Sequence, residues 1–490
     1  MSHSLPTIRT AKGGFSAARA DVTLLPIAEG HVKAGITACG KVLATTLAVR
    51  IKASEFKGRT EDLLVHHGDK GAVILLGLGK SVDAAAYRRA GARGRREAER
   101  LGGRKVGAYV AKLDGEALTA VVEGFLLAGY RFDKYKKEPK PVRVQSLQIV
   151  ADSLPDPATA RATTDHAVAV IGEVFGARDL VNEPPSVATP TFLATYAEQR
   201  AAETPGLECT VWKPKQIEKE GLAGILAVAR GSREEPRFIQ LHYKGPGATK
   251  HIAIVGKGIT FDSGGLSLKP ANSMETMKYD MAGAAAVIAK AIAVARLELP
   301  VELTAYAPAT ENLPGGRAQK PGDIIRYMNG KSAEVLNTDA EGRLILADAL
   351  ALASIAQPDA IIDLATLTGA ARVALGVQYA AVLGNNQPLI DALLGAGRGS
   401  GELLWQLPLA PEYKEDIRSQ IADVKNVGAG GAGTITAALF LQEFVDAAIP
   451  WAHLDIAGPA FAERDFPTAS KGATGYGVRL LVRYLSSLGV

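Results

Sequence analysis

The fold can be inferred outward from one stretch of the sequence, Asn337-Thr338-Asp339-Ala340-Glu341-Gly342-Arg343-Leu344. The residues before it, Val335 and Leu336, are typical of the end of a strand. The run that follows, Leu344–Leu350, consists of strong helix formers. We therefore predict a strand-to-helix turn here. In an open parallel sheet, such turns lie in the crevice at the carboxyl ends of the strands.

Two carboxylates, Asp339 and Glu341, stand close together on this turn. Their mutual repulsion is costly unless a cation joins them. Helix capping is the alternative interpretation, because either carboxylate could offset the positive end of the following helix. A second cluster of charged residues upstream favours a bound cation over helix capping.

The second cluster follows His251–Val255, a short apolar run typical of a buried strand. Lys257 and Asp262 come next, on a predicted glycine-rich loop, and Asp280 precedes a helix of small residues that starts at Ala282. Four carboxylates and a lysine that converge in one crevice would repel one another or titrate abnormally without metal ions. Two divalent ions resolve this, and oxygen-rich ligands suit Mn, Mg or Zn better than a soft metal.

Three segments closely resemble the leucyl aminopeptidase family, the two-metal cytosol aminopeptidases. They are VGKGITFDSGG (255–265), METMKYDMAGAAAV (274–287) and NTDAEGRLILADAL (337–350). The resemblance continues through RDLVNEPPSVATPTFLA, DLATLTGAARVALG and PWAHLDIAG, so that it covers roughly residues 170 to 490. The first third of the chain resembles the family only loosely.

The resemblance implies a ligand set for two divalent ions, Mn²⁺ or Zn²⁺ with Mg²⁺ as a further candidate. One ion would be held by Lys257, Asp262, Asp280 and Glu341, and the other by Asp262, Asp339 and Glu341. A lysine that binds metal must be neutral, and adjacent dications and burial would both lower its pKa. From the residues alone, Lys257 could equally serve only to neutralise the carboxylates.

The resemblance also implies catalytic and substrate-binding residues. Lys269 would polarise the scissile carbonyl, and Arg343 would anchor a bicarbonate ion that shuttles the proton. The alternative for Arg343 is a surface ion pair on the first helical turn, although a cation there opposes the helix dipole. The substrate's amine and first side chain would meet Met277, Thr366, Leu367 and Gly369.

The function that the resemblance implies is a metal-dependent aminopeptidase. It would release N-terminal residues, preferably leucine or similar apolar residues, from peptides with a free N-terminus. The family is hexameric, so the resemblance implies a homohexamer. Some bacterial members also bind DNA, and DNA binding by the N-terminal domain is therefore the alternative function.

At 490 residues the chain is longer than one ordinary hydrophobic core, so we expect two domains. We predict an α/β N-terminal domain at residues 1–160, with an oligomer-forming or regulatory role, and a catalytic domain at residues 161–490. In the latter, the predicted strands are 251–256, 301–307, 360–365 and 451–456, and the predicted helices are 280–297, 343–356 and 434–448. This alternation is typical of a doubly wound, mostly parallel sheet with helices on both faces.

Two short motifs suggest other enzymes, and both are weak signals. Asp262-Ser263-Gly264-Gly265 is similar to the sequence around the nucleophile of trypsin-like proteases, whose fold is all-β and disulfide-rich. Gly428–Gly433 matches the G-x-G-x-x-G pattern of dinucleotide-binding oxidoreductases, but the residues before it are not typical of a strand. We therefore expect Ser263 to be a turn residue and the glycine run to be a flexible loop.

One predicted helix, Ser81–Leu101, carries six arginines. Such a run could form a nucleic-acid face. Interspersed glutamates and the absence of interleaved aromatic residues favour a solvated helix face instead.

Composition limits the remaining classes. The net charge of +5 is modest for this length and does not by itself indicate a polyanionic partner. Only Cys39 and Cys209 are present, which excludes a cysteine-based zinc site and a disulfide scaffold. His453 lies in an apolar strand and is expected to be a core histidine. No apolar run is long enough to span a membrane, and we expect a cytoplasmic protein.

Overall fold

The computed structural model describes residues 3–69 and 71–489. The chain divides into two compact units. The first contains the residues up to Phe175 together with Arg464–Lys471, and the second contains Gly176–Glu463 and the residues from Gly472 onward. The predicted boundary at 160/161 falls inside a helix, Pro157–Asn182, that runs from the first unit into the second, and it stays a prediction.

The first unit is an α/β unit with one six-stranded sheet, in the order β1-β6-β5-β2-β4-β3. All neighbouring strands are parallel except the edge pair β3 and β4. The strands are β1 (Thr7–Lys12), β2 (Val22–Ala28), β3 (Leu63–Gly68), β4 (Gly71–Gly79), β5 (Lys105–Lys112) and β6 (Ser146–Ser153). The helices are α1 (Val32–Thr37), α2 (Lys41–Ser54), α3 (Ala84–Arg100), α4 (Gly115–Leu127) and α5 (Pro157–Asn182), with a 3₁₀ helix at Phe15–Ala18.

The arginine-rich helix α3 does not present the solvated face that its sequence predicts. Arg88 is buried in an ion pair with Glu123 at 2.8 Å, and Arg95 is buried in one with Glu99 at 3.0 Å. Arg96 donates to two backbone carbonyls of the segment 464–471. The interpretation as a solvated face is therefore wrong, because most of these long side chains reach polar partners inside the unit.

The second unit is built on a nine-stranded sheet in the order β16-β15-β18-β14-β9-β11-β8-β7, with β10 paired to β11. The strands are β7 (Leu207–Trp212), β8 (Arg237–Lys244), β9 (His251–Gly256), β10 (Gly258–Asp262), β11 (Glu302–Asn312), β12 (Ile324–Arg326), β13 (Ser332–Glu334), β14 (Ala360–Ala365), β15 (Ala380–Gly384), β16 (Leu404–Gln406), β17 (Val424–Lys425), β18 (Trp451–Asp455), β19 (Phe461–Ala462) and β20 (Gly472–Ala473). The strands β12, β13 and β17 form a separate small sheet, and β19 pairs with β20.

The helices of the second unit alternate with these strands. They are α6 (Pro190–Ala202), α7 (Pro214–Lys219), α8 (Ala223–Ala229), α9 (Ala271–Met274), α10 (Ala282–Arg296), α11 (Gly342–Ile355), α12 (Gly369–Leu375), α13 (Gln387–Ser400), α14 (Gly433–Gln442) and α15 (Val478–Ser486). Short 3₁₀ helices lie at Met277–Tyr279, Pro411–Ile417 and Ser487–Gly489.

The centre of the large sheet is parallel, as the sequence predicts. The strands β18, β14, β9 and β11 run in one direction, and the antiparallel pairs lie toward the edges, at β15 and at β7–β8. The residues of β9 alternate between two faces: Ala253 and Val255 pack into one core with α8, α11 and α14, whereas Ile252 and Ile254 are outside that cluster. The helix α10 contacts the same strands and α15. Both faces of the parallel centre are therefore covered.

Three local predictions need correction. Asp262 does not lie on a loop, because Gly258–Asp262 forms β10, a short strand parallel to β11, and Lys257 is the single residue between β9 and β10. The strand before the acidic turn, β13, ends at Glu334 and belongs to the small sheet rather than to the large one. The helix predicted at 434–448 ends at Gln442. In the described part of the chain, no helix combines the length and the apolar character needed to cross a membrane.

Candidate active site

The candidate site lies at the carboxyl ends of the parallel strands. Lys257 follows the last residue of β9, and Asp262 is the last residue of β10. Thr366 follows β14, and Asp455 ends β18. Parallel neighbours end at the same edge of a sheet, so the topology brings together side chains that are up to about two hundred positions apart. The acidic turn before α11 supplies Asp339 and Glu341 to the same edge.

Three carboxylates form the buried centre of the site. Asp262, Asp280 and Glu341 each offer a carboxylate oxygen within 4.8 Å of the other two. They are 2%, 4% and 1% exposed, so that water cannot screen the repulsion among them. Such a group requires cations or protons.

Two lysines supply positive charge to these carboxylates. The Nζ atom of Lys257 lies 2.8 Å from Asp280 Oδ2 and 2.9 Å from Glu341 Oε1, and it also donates to the carbonyl of Thr366 at 3.0 Å. Burial by itself would lower the pKa of Lys257, but the three carboxylates outweigh burial and raise it. The lowering predicted for a metal-bound Lys257 stays a prediction.

Lys269 bridges the other pair of carboxylates. Its Nζ atom lies 2.9 Å from Asp262 Oδ2 and 2.6 Å from Asp339 Oδ1. Burial acts to lower the pKa of Lys269, and the ion pair with Asp262 leads the effects that raise it. The structure therefore brings all five predicted ligands and Lys269 into one continuous cluster.

Burial dominates the pKa values of the acidic groups. It raises the pKa of Asp280 well above the usual range of a carboxyl group, and it raises the pKa of Asp339 as well. Burial, followed by the charge of Asp262, raises the pKa of Glu341 to about 7. Shifts of this kind cluster at functional sites.

Asn312, at the end of β11, is a site residue that the sequence reasoning missed. Its Nδ2 atom donates to Asp262 Oδ1 at 2.8 Å and to the carbonyl of Thr338 at 3.0 Å, and lies 3.4 Å from Glu341 Oε2. Asp262 Oδ1 also accepts the backbone N–H of Gly264 at 2.9 Å. These bonds fix the orientation of the Asp262 carboxylate. The sequence signal that could have identified Asn312 is its position as a polar residue at the carboxyl end of a buried strand.

Arg343 is buried, and no ion pair with it occurs within the described residues, so the surface ion-pair alternative is wrong. Its Nη1 atom donates to the carbonyl of Asn426 at 2.8 Å, and its Nε atom has no partner there. Burial lowers the pKa of Arg343 to about 10. Asn426 in turn accepts the N–H of Leu336 at 2.8 Å and donates to the carbonyl of Asn337 at 2.7 Å, which holds the acidic turn in place.

The predicted substrate residues lie on two segments beside the carboxylates. Thr366, which is buried, donates from Oγ1 to Asp280 Oδ1 at 2.8 Å. Leu367 is half-buried, and Gly369 is exposed and begins α12. Met277 is half-buried in the 3₁₀ helix that leads to Asp280.

Ser263 and His453 have structural roles. Ser263 donates from Oγ to the carbonyl of Asn312 at 2.7 Å and accepts the N–H of Gly265, so it is a turn residue as predicted. His453 is fully buried, and its Nδ1 lies 2.5 Å from Asp363 Oδ1. It is the core histidine that the sequence predicts.

The donor chemistry of the site fits divalent cations. The buried atoms Asp280 Oδ2 and Asp339 Oδ1 each face a lysine ammonium, at 2.8 Å and 2.6 Å. Carboxylate oxygens are the ligands that Mn²⁺ and Mg²⁺ prefer, and Zn²⁺ also accepts them. The cluster therefore offers carboxylate oxygens where divalent cations would relieve the repulsion.

Comparison with protein families identifies the chain. A family model described as the cytosol aminopeptidase family, catalytic domain, matches residues 175–482. A second model, described as the N-terminal domain of the same family, matches residues 25–139. The chain belongs to the cytosol aminopeptidase family. It is therefore an aminopeptidase, a metal-dependent hydrolase of peptide bonds.

Relatives within the cytosol aminopeptidase family match nearly the whole chain. A probable cytosol aminopeptidase from Syntrophotalea carbinolica is 46% identical over 454 residues, which cover 90% of this chain and 91% of the relative. A probable cytosol aminopeptidase from Leifsonia xyli is 41% identical and covers 97% of both chains.

Two solved structures share the fold of this chain. A tomato leucine aminopeptidase variant aligns with a TM-score of 0.90 at 31% identity, covering 99% of this chain and 98% of its own. The bottromycin maturation enzyme BotP, solved in complex with Mn, aligns with a TM-score of 0.84 at 35% identity and covers 96% of this chain and 100% of its own.

Proposed function

We propose that this aminopeptidase uses two divalent ions to release N-terminal residues, preferably leucine or similar apolar residues, from peptides. The observation that carries the proposal is the buried triad of Asp262, Asp280 and Glu341, with oxygens within 4.8 Å of one another at the crevice of the sheet. The structurally similar BotP was solved in complex with Mn, which supports a role for metal in this chain.

The proposed ligands of one ion are Lys257, Asp262, Asp280 and Glu341, and those of the other are Asp262, Asp339 and Glu341. Mn²⁺ or Zn²⁺ fits this donor set, and Mg²⁺ is the third candidate. When bound, such a pair of ions supplies Lewis acidity and lowers the pKa of water between them. To serve as a ligand, Lys257 must give up the proton that its contacts with Asp280 and Glu341 favour.

Two cationic side chains carry the proposed catalytic roles. Lys269 reaches both Asp262 and Asp339, so its ammonium group stands where it can donate to a substrate carbonyl and stabilise developing negative charge. Arg343 has a buried guanidinium with an unpartnered Nε, which suits an anion such as bicarbonate that would accept and return a proton.

The substrate-binding residues follow from the same arrangement. The first residue of a peptide bound at the carboxylates would meet Met277, in the 3₁₀ helix that leads to Asp280, and the segment Thr366–Gly369, whose Thr366 bonds to Asp280. Methionine is an adaptable apolar wall, which favours medium-sized side chains such as leucine. We propose that a free N-terminal amine is required, because an uncharged amine would be a ligand for one of the two ions.

A chromogenic leucyl amide tests the proposal. We expect hydrolysis that a chelator abolishes and that added Mn²⁺ or Zn²⁺ restores. Glu341→Gln should abolish hydrolysis with the fold intact, since it weakens a ligand shared by both ions. Glu311→Gln is the control, because Glu311 is equally a buried glutamate but bonds to Ser232 Oγ instead. Near-normal turnover of Glu341→Gln in limiting metal would contradict the ligand assignment.

Assembly and location remain predictions. We propose a homohexamer, with the N-terminal unit in an oligomer-forming or regulatory role, and a cytoplasmic location. Sedimentation analysis of the full chain tests the assembly. The DNA-binding alternative loses its main support, because the arginines of α3 are mostly engaged within their own unit.

A further inference from the structure

Asp455 is a buried carboxylate at the site edge that binds neither lysine nor arginine within 4 Å in the described chain. It is 0% exposed and ends β18, directly beside Ala365 of β14. A buried charge of this kind is costly unless hydrogen bonds satisfy it. The hydrogen bonds of Asp455 therefore indicate its structural role.

All the hydrogen bonds of Asp455 go to backbone or hydroxyl groups near the end of its own strand and of β14. Its Oδ1 atom accepts the N–H groups of Leu367 at 3.2 Å, Thr368 at 3.4 Å and Ala457 at 3.2 Å. Its Oδ2 atom accepts the hydroxyl of Thr368 at 2.6 Å. One carboxylate thus fixes the backbone and one side chain of the segment 366–368.

This segment connects directly to the proposed metal ligands. The carbonyl of Thr366 accepts a hydrogen bond from Lys257 Nζ at 3.0 Å, and the hydroxyl of Thr366 donates to Asp280 Oδ1 at 2.8 Å. Movement of the segment would therefore move the partners of two ligands at once. Asp455 touches neither ligand itself.

The carboxylate also sets the direction of a hydrogen-bond chain. The single proton of the Thr368 hydroxyl goes to Asp455, so this oxygen accepts from the N–H of Ala371 at 3.0 Å and from the hydroxyl of Thr434 at 2.9 Å. The first bond caps α12, and the second reaches the start of α14, next to the glycine-rich loop. Because a carboxylate can only accept hydrogen bonds, it fixes the donor-to-acceptor direction of this series, from Thr434 through Thr368 to Asp455.

We propose that Asp455 is a positioning residue that holds the segment Thr366–Thr368 in the geometry in which Lys257 and Asp280 bind metal and the substrate's N-terminal residue is received. The inference rests on the proposed function for its catalytic consequence. The hydrogen-bond geometry that carries it does not depend on metal.

Asp455→Asn tests the inference. The amide keeps the size and one acceptor oxygen but presents a donor to Thr368, whose hydroxyl must then reverse its bond to Thr434. Asp363→Asn is the matched control, because Asp363 is also 0% exposed on the neighbouring strand but bonds to Trp451 Nε1 at 2.8 Å and to His453. If the loss of activity came only from replacing a buried carboxylate, both variants would lose activity.

Two measurements separate positioning from general destabilisation. In metal-free protein, hydrogen exchange followed by mass spectrometry should show faster exchange over residues 366–371 in Asp455→Asn and not in Asp363→Asn. In metal-loaded enzyme, kcat/KM for a leucyl amide should fall by roughly tenfold or more in Asp455→Asn alone. Equal exchange in the two variants, or equal losses of kcat/KM, would overturn the inference.

Substitutions of Thr368 provide a second test that does not alter the carboxylate. Thr368→Val removes the hydroxyl and should reproduce the faster exchange and the lower kcat/KM, whereas Thr368→Ser keeps the hydroxyl and should restore both. Identical behaviour of the two variants would contradict the inference. If the wild-type chain failed to hydrolyse any leucyl amide, the proposed function would fail, while the exchange measurement would still decide the role of Asp455.

Discussion

Lys290 is a buried lysine in the middle of α10, and its Nζ atom has no hydrogen-bond partner among the described residues. Burial lowers the pKa of Lys290 well below its usual value. Between the folded and unfolded pKa values the unfolded chain binds more protons, so the wild-type chain gains stability as the pH rises toward about 10. A neutral amine among apolar neighbours still costs the energy of an unmade hydrogen bond.

We therefore predict that Lys290→Met raises the melting temperature at neutral pH, by roughly 1–2 °C for each 1 kcal/mol gained in a unit of this size. The gain should shrink as the pH is raised, because the wild-type chain then recovers stability. Thermal melting between pH 6 and pH 10 measures both effects, and Lys219→Met on the exposed end of α7 is the control. A gain that is independent of pH would contradict the assignment of Lys290 as a buried, titrating amine.

The residues that the sequence could identify are those whose charge is unusual where they stand. Lys257, Asp339 and Glu341 flank apolar runs, so they can be identified as candidate site residues from the sequence without knowledge of their contacts. Asn312, Asn426 and Asp455 could not be found in this way. They are ordinary polar residues whose roles depend on bonds to groups 26 to 90 positions away.

At the scale of elements, the first turn of α11 passes very close to Lys257. A Cβ atom on Gly342 would lie 2.5 Å from Lys257 Cε and 2.6 Å from its Nζ. A side chain at position 342 would therefore displace the end of the lysine from its contacts with Glu341 and Asp280. The position of the Lys257 side chain therefore depends on the residue at the start of α11.

Gly342→Ala should therefore reduce kcat/KM strongly, although alanine is the better helix former by about 1 kcal/mol. The control is Gly395→Ala inside α13, where the nearest atom to the new Cβ is 4.0 Å away. That variant should be as active as wild type and more stable by about 0.5–1 kcal/mol. Steady-state kinetics and thermal melting measure both variants. Full activity of Gly342→Ala would show that activity does not depend on the position of the Lys257 side chain next to residue 342.

A second link between elements joins α11 to α8. Asp348 on α11 is fully buried, and its Oδ2 accepts the N–H of Ile225 in the first turn of α8 at 2.7 Å. Gly224 permits the crossing, because a Cβ there would lie 2.2 Å from the carbonyl of Leu344. Burial raises the pKa of Asp348 to about 8.

The raised pKa predicts a pH-dependent stability. Between about pH 4 and pH 8 the folded chain keeps a proton that the unfolded chain releases, so stability falls as the pH rises, by up to about 1.4 kcal/mol per unit. Asp348→Asn cannot titrate and should gain stability relative to wild type from pH 5 to pH 8. Parallel melting curves of the two proteins across this range would contradict the prediction.

The elements that the sequence predicted well are those with a continuous local signal. The apolar strands at 251–256 and 360–365 and the long helices α10 and α11 have such a signal. The strand β10 does not, because its glycine-rich residues are held as a strand only by pairing with β11, about fifty positions later. The helix α14 ends early at Gln442, although apolar residues continue beyond it.

At the scale of the whole molecule, the parallel centre of the large sheet is what makes the site. Four neighbouring strands end at one edge, and each delivers a polar residue or a polar segment there. The sequence predicted this centre from alternating strands and helices. It could not predict the antiparallel edge strands or the segment Arg464–Lys471 that joins the first unit, because these depend on long-range pairing.

The central claim is that Lys257, Asp262, Asp280, Asp339 and Glu341 hold two divalent ions in the active enzyme. Elemental analysis of active protein, combined with anomalous diffraction from its crystals at the absorption edges of Mn and Zn, tests it most directly. We expect two ions per chain, both among these side chains, and their loss together with activity in Glu341→Gln. Full activity in protein that carries no ion at this cluster would contradict it.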